Sequence, residues 1–211
     1  MKQKIKTCIW GSVSDKMDPG ISSHANMLAL FVSMYNNTSE KYELSFVNGG
    51  GEHGFLGKFN STAMSLGIDV TGYTIPEFYK LEKHVGLNKA GRLIMVDTLE
   101  ERELKMVEGV DNIIMAPGGW GTLEEFVSEI IRHEVAGSFN GNGDKPMIPM
   151  HILNVDGYYD WVDGFFKGME SKGMTRFDIK ELVTIHAGVG ECLTAIVPED
   201  DRGVLDLLIC S

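Results

Sequence analysis

The chain has 211 residues, 43% hydrophobic and 23% charged, with 25 Gly, 6 Pro and 3 Cys; these proportions fit one globular domain that buries roughly 70% of its unfolded surface without a disulfide or metal staple. Thirty acidic against 19 basic residues leave a net charge of −11, which repels a phosphate backbone and an anionic membrane alike, so neither polymeric nucleic acid nor a membrane is expected as a partner. Cys8, Cys192 and Cys210 stand far apart without ligand spacing, and no apolar run approaches the about 18 residues of a membrane span or forms a signal-peptide core, which together predict a cytoplasmic protein with no metal site.

Short apolar runs alternate with longer amphipathic stretches, the pattern of βαβ units. In chain order the sequence predicts a strand over 5–11, a helix over 21–35, a strand over 43–48, a helix over 54–66 and a strand over 69–75. An excursion without clear period follows at 76–91, then a strand at 92–96, a helix at 99–108 and a strand at 112–115. A helix over 122–136, a turn-rich loop at 140–144, a strand over 147–154, a helix over 159–172, a strand over 182–186 and a helix over 189–196 complete the series. The expected fold is a doubly wound, Rossmann-like parallel sheet of about seven strands with helices on both faces, in a single domain. After Pro198 the tail is acidic and then apolar, which predicts a last segment docked back on the body.

Two glycine clusters each follow a strand and open a helix. The first runs Val47-Asn-Gly-Gly-Gly-Glu-His-Gly-Phe-Leu-Gly57, the second Ala116-Pro-Gly-Gly-Trp-Gly-Thr122. Without side chains the backbone can approach a ligand and aim amides at an anion, and both clusters fall at strand carboxyl ends, where open α/β sheets bind. Gly49, Gly51 and Gly54 satisfy GxGxxG and Asp69 lies 20 residues after Gly49, yet a dinucleotide reading is set aside. That fingerprint belongs after the first strand, with its acidic partner at the end of the next, whereas here the turn follows the second strand and Asp69 begins its own. Gly11, Ser12, Gly49, Gly50, Gly51, Gly54, Pro117, Gly118, Gly119, Gly121 and Thr122 are the candidate phosphate- and nucleotide-binding positions. Thr122 and Glu125 also read as a capping box at the start of the helix predicted over 122–136.

Pro117-Gly118-Gly119-Trp120-Gly121-Thr122-Leu123-Glu124-Glu125 matches PGGxGTxxE, and with the glycine loop at 49–57, Arg102 and the stretch Leu153-Asn-Val-Asp-Gly-Tyr-Tyr159 the chain resembles the LONELY GUY family of cytokinin-activating nucleotide hydrolases, long mislabelled as lysine decarboxylases. The resemblance covers residues 7–174. It implies a dimeric enzyme that hydrolyses a nucleoside 5′-monophosphate to free base and ribose 5-phosphate, with Arg102 and Glu125, 23 residues apart, as the catalytic pair. Arg102 would hold the nucleotide phosphate through its planar fork. Glu125 would either hold the ribose hydroxyls and stabilise an oxocarbenium-like centre or activate the attacking water.

The family's Met-His-x-Arg-Lys-x-x-Met stretch is Leu99-Glu-Glu-Arg-Glu-Leu-Lys-Met106 here, so Glu103 replaces a lysine, with Lys105 as a nearby candidate to compensate, and Asn48 stands where tyrosine precedes the glycine triplet. A non-hydrolytic carrier of a nucleotide or of molybdenum cofactor, on the same fold, is the alternative function. Trp120 is a candidate for the base pocket or a subunit interface, His53 reads as a solvated loop residue, and His133 lies about two turns beyond Glu125, too far for direct partnership. No lysine has a pyridoxal-binding context, so no cofactor is expected; the expected partners are a nucleoside monophosphate and a second copy of the chain.

Overall fold

The computed structural model describes residues 1–82, 85–90, 92–139 and 147–209. The strands are β1 (Gln3–Trp10), β2 (Tyr42–Asn48), β3 (Val70–Thr74), β4 (Leu93–Met95), β5 (Asn112–Met115), β6 (Met150–Leu153) and β7 (Val183–His186). All pair in parallel in the order β4-β3-β2-β1-β5-β6-β7. The helices are α1 (Pro19–Thr38), α2 (Gly54–Ser65), α3 (Pro76–Glu82), α4 (Val85–Lys89), α5 (Leu99–Val107), α6 (Trp120–Phe139), α7 (Asp160–Ser171), α8 (Val189–Ile196) and α9 (Arg202–Ile209). The doubly wound α/β expectation is met among the described residues; the 140–144 loop and Cys210 lie outside them.

The central strands are apolar because both their faces are covered. Every residue of β5 and β6 is buried. On one face Ile9, Leu28, Val32, Phe55, Phe59 and Leu193 pack together. On the other, Trp10, Met106, Met115, Phe126 and Phe166 form a second core. Each such large apolar side chain contributes roughly 1.5–3 kcal/mol on full burial. Local chemistry sets the boundaries: the Asp18 carboxylate accepts from Gly20 N–H at 2.7 Å and Pro19 opens α1, an N-cap followed by the one residue whose missing N–H costs nothing there.

The excursion at 76–91 contains α3 and α4 and, among its described residues, no strand, as its lack of a two-residue period suggests. The tail docks as expected. Asp201, 7% exposed, accepts from Tyr35 Oη and Ser39 Oγ at 2.6 Å each, so the buried carboxylate just before the last helix is satisfied from the end of α1 and the residue that caps it. Cys8 and Cys192 are buried free thiols. Among the described residues no helix is long and apolar enough to cross a membrane.

Candidate functional site

The chain winds from β1 outward through β2, β3 and β4, then returns to place β5 on the other side of β1. That reversal makes the carboxyl ends of β1 and β5 the switch point, where the crossovers diverge and leave a crevice. Three loops meet there. Ser12 N–H, after β1, donates to Pro117 O, after β5, at 2.9 Å, and Leu56 N–H from the loop after β2 donates to Ser12 O at 3.1 Å. Ser12 thus uses both backbone groups to knit the crevice floor, and Gly11 packs on Ala116 and Leu56. Gly54 has φ +61° and lies so close that a Cβ would stand 2.5 Å from Ser12 O, a position only glycine fills.

Asp69, the acidic half of the apparent dinucleotide fingerprint, lies at the opposite end of the sheet, paired with Lys4 at 2.8 Å and Arg92 at 3.4 Å. Setting that reading aside agrees with its position.

Arg102 and Glu125 come together. Arg102 is in the first turn of α5, which Thr98 caps by accepting from Glu101 N–H at 3.1 Å. Its Nε donates to Tyr73 O at the end of β3 at 3.0 Å, its Nη1 lies 3.4 Å from Glu125 Oε1, and its guanidinium sits 5.2 Å from the Phe78 ring centre. Both side chains are nearly enclosed, 11% and 13% exposed. Burial pushes the Glu125 carboxyl up to about 7, with the Arg102 guanidinium opposing and the Glu124 and Glu103 carboxylates adding to the rise. A carboxyl that titrates near neutrality suits proton transfer.

The first glycine loop covers this pair. Its anchor is a buried amide pair that sequence reading missed: Asn48 Nδ2 donates to Asn60 Oδ1 at 2.7 Å, Asn60 Nδ2 donates to Gly51 O at 3.1 Å, and Gly50 N–H donates to Asn48 Oδ1 at 2.7 Å. Gly50 has φ +74°. The Gly50 amide, a candidate phosphate donor by sequence, therefore points inward to Asn48. The signal was available in the departure at position 48, where a side chain able to accept and donate replaces tyrosine.

The second loop opens α6 earlier than the capping-box reading requires. The helix starts at Trp120, and Leu123 N–H donates to Gly119 O at 3.1 Å. Thr122 is buried inside the first turn against Gly118, where a Cβ would meet its Oγ1 at 2.0 Å, and Glu125 turns to Arg102 instead of back to a cap. The turn at Pro117-Gly-Gly, held from Tyr158 and Tyr159, begins the helix two residues sooner. The N–H groups of Gly119, Trp120, Gly121 and Thr122 then precede the helical ladder and can receive an anion. Tyr158 Oη donates to Gly118 O at 2.8 Å, Gly118 N–H donates to Tyr159 Oη at 3.1 Å, and Tyr159 Oη donates to Ala116 O at 2.9 Å. The Asn-Val-Asp-Gly-Tyr-Tyr stretch is thus the brace of this loop.

Glu103 points away from Arg102 to Arg132 Nη2 at 2.8 Å, while Arg132 Nη1 meets Glu129 Oε2 at 2.9 Å and His133 Nε2 lies 3.3 Å from Glu129 Oε1. Lys105 does not compensate for the missing lysine: it is exposed and bound to Glu108 at 2.8 Å. His53 is half-exposed with Nδ1 2.6 Å from Asp15 Oδ1, and Trp120 is 88% exposed at the mouth. Among the described residues no group of three His, Cys, Asp or Glu side chains is arranged to hold a metal.

This geometry places a helix start with free amides about 7.5 Å along α6 from a near-neutral carboxyl, given 1.5 Å of rise per residue, with a guanidinium beside that carboxyl. Over residues 56–196 the chain matches the family described as "Possible lysine decarboxylase". It is 34% identical over 155 residues to the probable cytokinin riboside 5′-monophosphate phosphoribohydrolase LOG4 of Oryza sativa subsp. japonica, covering 73% of this chain and 63% of that one. It is 31% identical over 140 residues to LOGL1 of the same plant, named the same activity, covering 66% and 58%. The matched stretch therefore spans less than two thirds of those relatives. Among solved structures it superposes on the molybdenum cofactor carrier protein of Chlamydomonas reinhardtii with a TM-score of 0.60 at 14% identity, covering 92% of this chain and 96% of that one. The molybdenum cofactor binding protein of Rippkaea orientalis gives 0.59 at 16%, covering 93% and 96%. At such identities these likenesses speak for the fold.

Proposed function

The chain belongs to the LONELY GUY family, described as possible lysine decarboxylases, and we propose on that footing that it hydrolyses the N-glycosidic bond of a nucleoside 5′-monophosphate, purine or cytokinin-like, giving free base and ribose 5-phosphate. The observation that carries this reading is the enclosed Arg102–Glu125 pair beside the start of α6. The 5′-phosphate sits on the first-turn amides of α6 and Arg102. The ribose then reaches along the helix toward Glu125. As the C1′–N bond breaks, positive charge grows on the sugar and the electron pair leaves with the base. A water oxygen bonds to C1′, and its proton ends on the departing nitrogen. Ionised Glu125 stabilises the cationic sugar or takes the water proton, and a carboxyl near pH 7 can do either without a large energetic penalty.

The residues act within one domain that works as a cytoplasmic homodimer. Val127, Ile131 and Val135 recur every fourth residue on α6, and Trp161 and Phe165 do so on α7, all about half exposed; such apolar stripes suit a second copy.

The deciding experiment incubates the protein with purine and pyrimidine 5′-monophosphates and with the matching nucleosides, following free base and ribose 5-phosphate. Turnover of a purine monophosphate, with much slower action on its nucleoside, is expected. Equal rates refute phosphate anchoring, and tight binding without product moves the chain to the carrier reading that its fold neighbours share.

A further inference from the structure

Glu103 is 8% exposed and follows Arg102 directly in α5. A buried carboxylate needs a cation or several donors. Burial pushes this carboxyl up and the Glu124 carboxylate adds to the rise, while the Arg132 and Arg102 guanidiniums both pull it down. Two cations therefore act on it. The contact it makes is with Arg132 on α6, seven residues beyond Glu125 and on a neighbouring stretch of the same helix. Arg132 does not stand alone. Burial pushes the Glu129 carboxyl up, but its bonds to His133 and Arg132 win and hold it below its ordinary value, so it remains an anion that grips Arg132 Nη1 while Nη2 grips Glu103. A guanidinium can do this because its fork offers separate nitrogens to two carboxylates in fixed geometry.

We propose that Arg132 is a positioning residue of the site: by clamping Glu103 against Glu129 it stops the carboxylate beside Arg102 from competing with Glu125 for that guanidinium. The cation that the family pattern carries at position 103 is in this chain moved to α6, with the charge at 103 inverted. The inference rests on the proposed hydrolase reading for its kinetic arm alone. Among the described residues, the charged and titratable groups that act on Glu125 include Arg102 and Glu103 from α5, Glu124 from its own helix and the Cys8 thiol from β1. Of these, Glu103 is the one whose charge Arg132 controls.

The test compares Arg132→Gln, Glu103→Gln and the double variant, reading the carboxyl titration of Glu125 by carbon NMR with the resonance assigned through its loss in Glu125→Gln. Losing Arg132 leaves Glu103 unneutralised and should move the Glu125 midpoint up by at least about half a pH unit. Losing the Glu103 charge should move it down. The double variant should return it near the starting value, and Arg132→Lys should recover only part of the shift. In kinetics, KM for the phosphorylated substrate should rise in Arg132→Gln and recover in the double variant. A midpoint unmoved in Arg132→Gln, or moved in one direction by both single variants, overturns the proposal. Absence of hydrolysis in the unaltered chain overturns the hydrolase reading and leaves the titration to decide this one.

Discussion

Gly49 and Arg102 occupy adjoining space so closely that a Cβ on Gly49 would stand 2.0 Å from Arg102 Nη2 and 3.1 Å from its Cζ. The glycine is required by the guanidinium, not by its own backbone angles. Arg102 cannot easily retreat, because Tyr73 O, Phe78 and Glu125 hold it on other sides. Gly49→Ala should therefore mimic loss of the arginine, lowering kcat/KM for a nucleoside monophosphate at least about tenfold, equivalent to about 1.4 kcal/mol, with a circular dichroism spectrum like that of the unaltered chain. Steady-state kinetics with kcat/KM unchanged would show that the close approach has no functional consequence.

Asn48 and Asn60 make a different prediction, on stability. Asn48→Ala removes the acceptor of the Asn48 side chain from the loop and leaves the Asn60 Oδ1 without its Asn48 Nδ2 donor in a buried place, and an unsatisfied buried polar group costs roughly 1–3 kcal/mol. Calorimetry should show Tm lowered by several degrees, since about 1 kcal/mol moves a chain of this size by roughly 2–4 °C. Asn48→Tyr, which installs the residue of the family pattern, should fail to rescue because Asn60 still lacks its partner. A Tm within a degree of the unaltered value in both variants would refute the clamp.

The fold was legible in the sequence because period carries it. The runs at 43–48, 112–115 and 182–186 became β2, β5 and β7 within a residue, and Val189–Ile196 matches the predicted helix. The Arg102–Glu125 meeting was implied by the family resemblance that the PGGxGTxxE motif carries. What escaped was non-local. Nothing in Thr122-Leu-Glu-Glu125 tells a capping box from a turn that begins at Trp120, because Pro117-Gly-Gly is compatible with either until Tyr158 and Tyr159 brace it from 40 residues away. Glu103 read alone looks hostile to an anion site; only the packing of α5 on α6 reveals Arg132 as its partner.

The paired histidines of β6 and β7 set an acid sensitivity. His151 Nδ1 lies 3.0 Å from His186 Nε2 in the core, and burial, aided by His186, pushes His151 down to about 4. Between the ordinary histidine range near 6.5 and pH 4 the unfolded chain takes up a proton that the fold refuses, so stability is full above that window and falls as pH drops through it, by about 3 kcal/mol for a shift of this size. His151→Gln should therefore lose less Tm than the unaltered chain between pH 7 and pH 5. Equal losses in the two chains would rule the pair out as the source.

The exposed stripe on α6 can be tested by charge. Ile131→Glu places a carboxylate in the middle of Val127, Ile131 and Val135, which would be desolvated on pairing of two copies. Light scattering at micromolar concentration should give a dimer mass for the unaltered chain and a monomer mass for the variant. A monomeric unaltered chain would overturn the homodimer.

Glu125→Gln separates catalysis from stability most sharply. Glutamine keeps the size and the hydrogen bond to Arg102 but removes the charge the transition state requires, so turnover should fall roughly a hundredfold or more while nucleotide binding largely survives. Stability should move the opposite way. The carboxyl is pushed up to about 7 in the fold against an ordinary value of 4.5, so between those values the folded chain holds a proton that the unfolded chain has released. Stability therefore declines as pH rises from 4.5 to 7, and ionised Glu125 costs the fold about 3 kcal/mol above that window. Glutamine, which resembles the protonated acid, escapes this cost. The variant should melt higher than the unaltered chain at pH 8, with the difference vanishing as pH approaches 4.5. Near-normal turnover together with superimposable melting curves at pH 8 would remove Glu125 from catalysis.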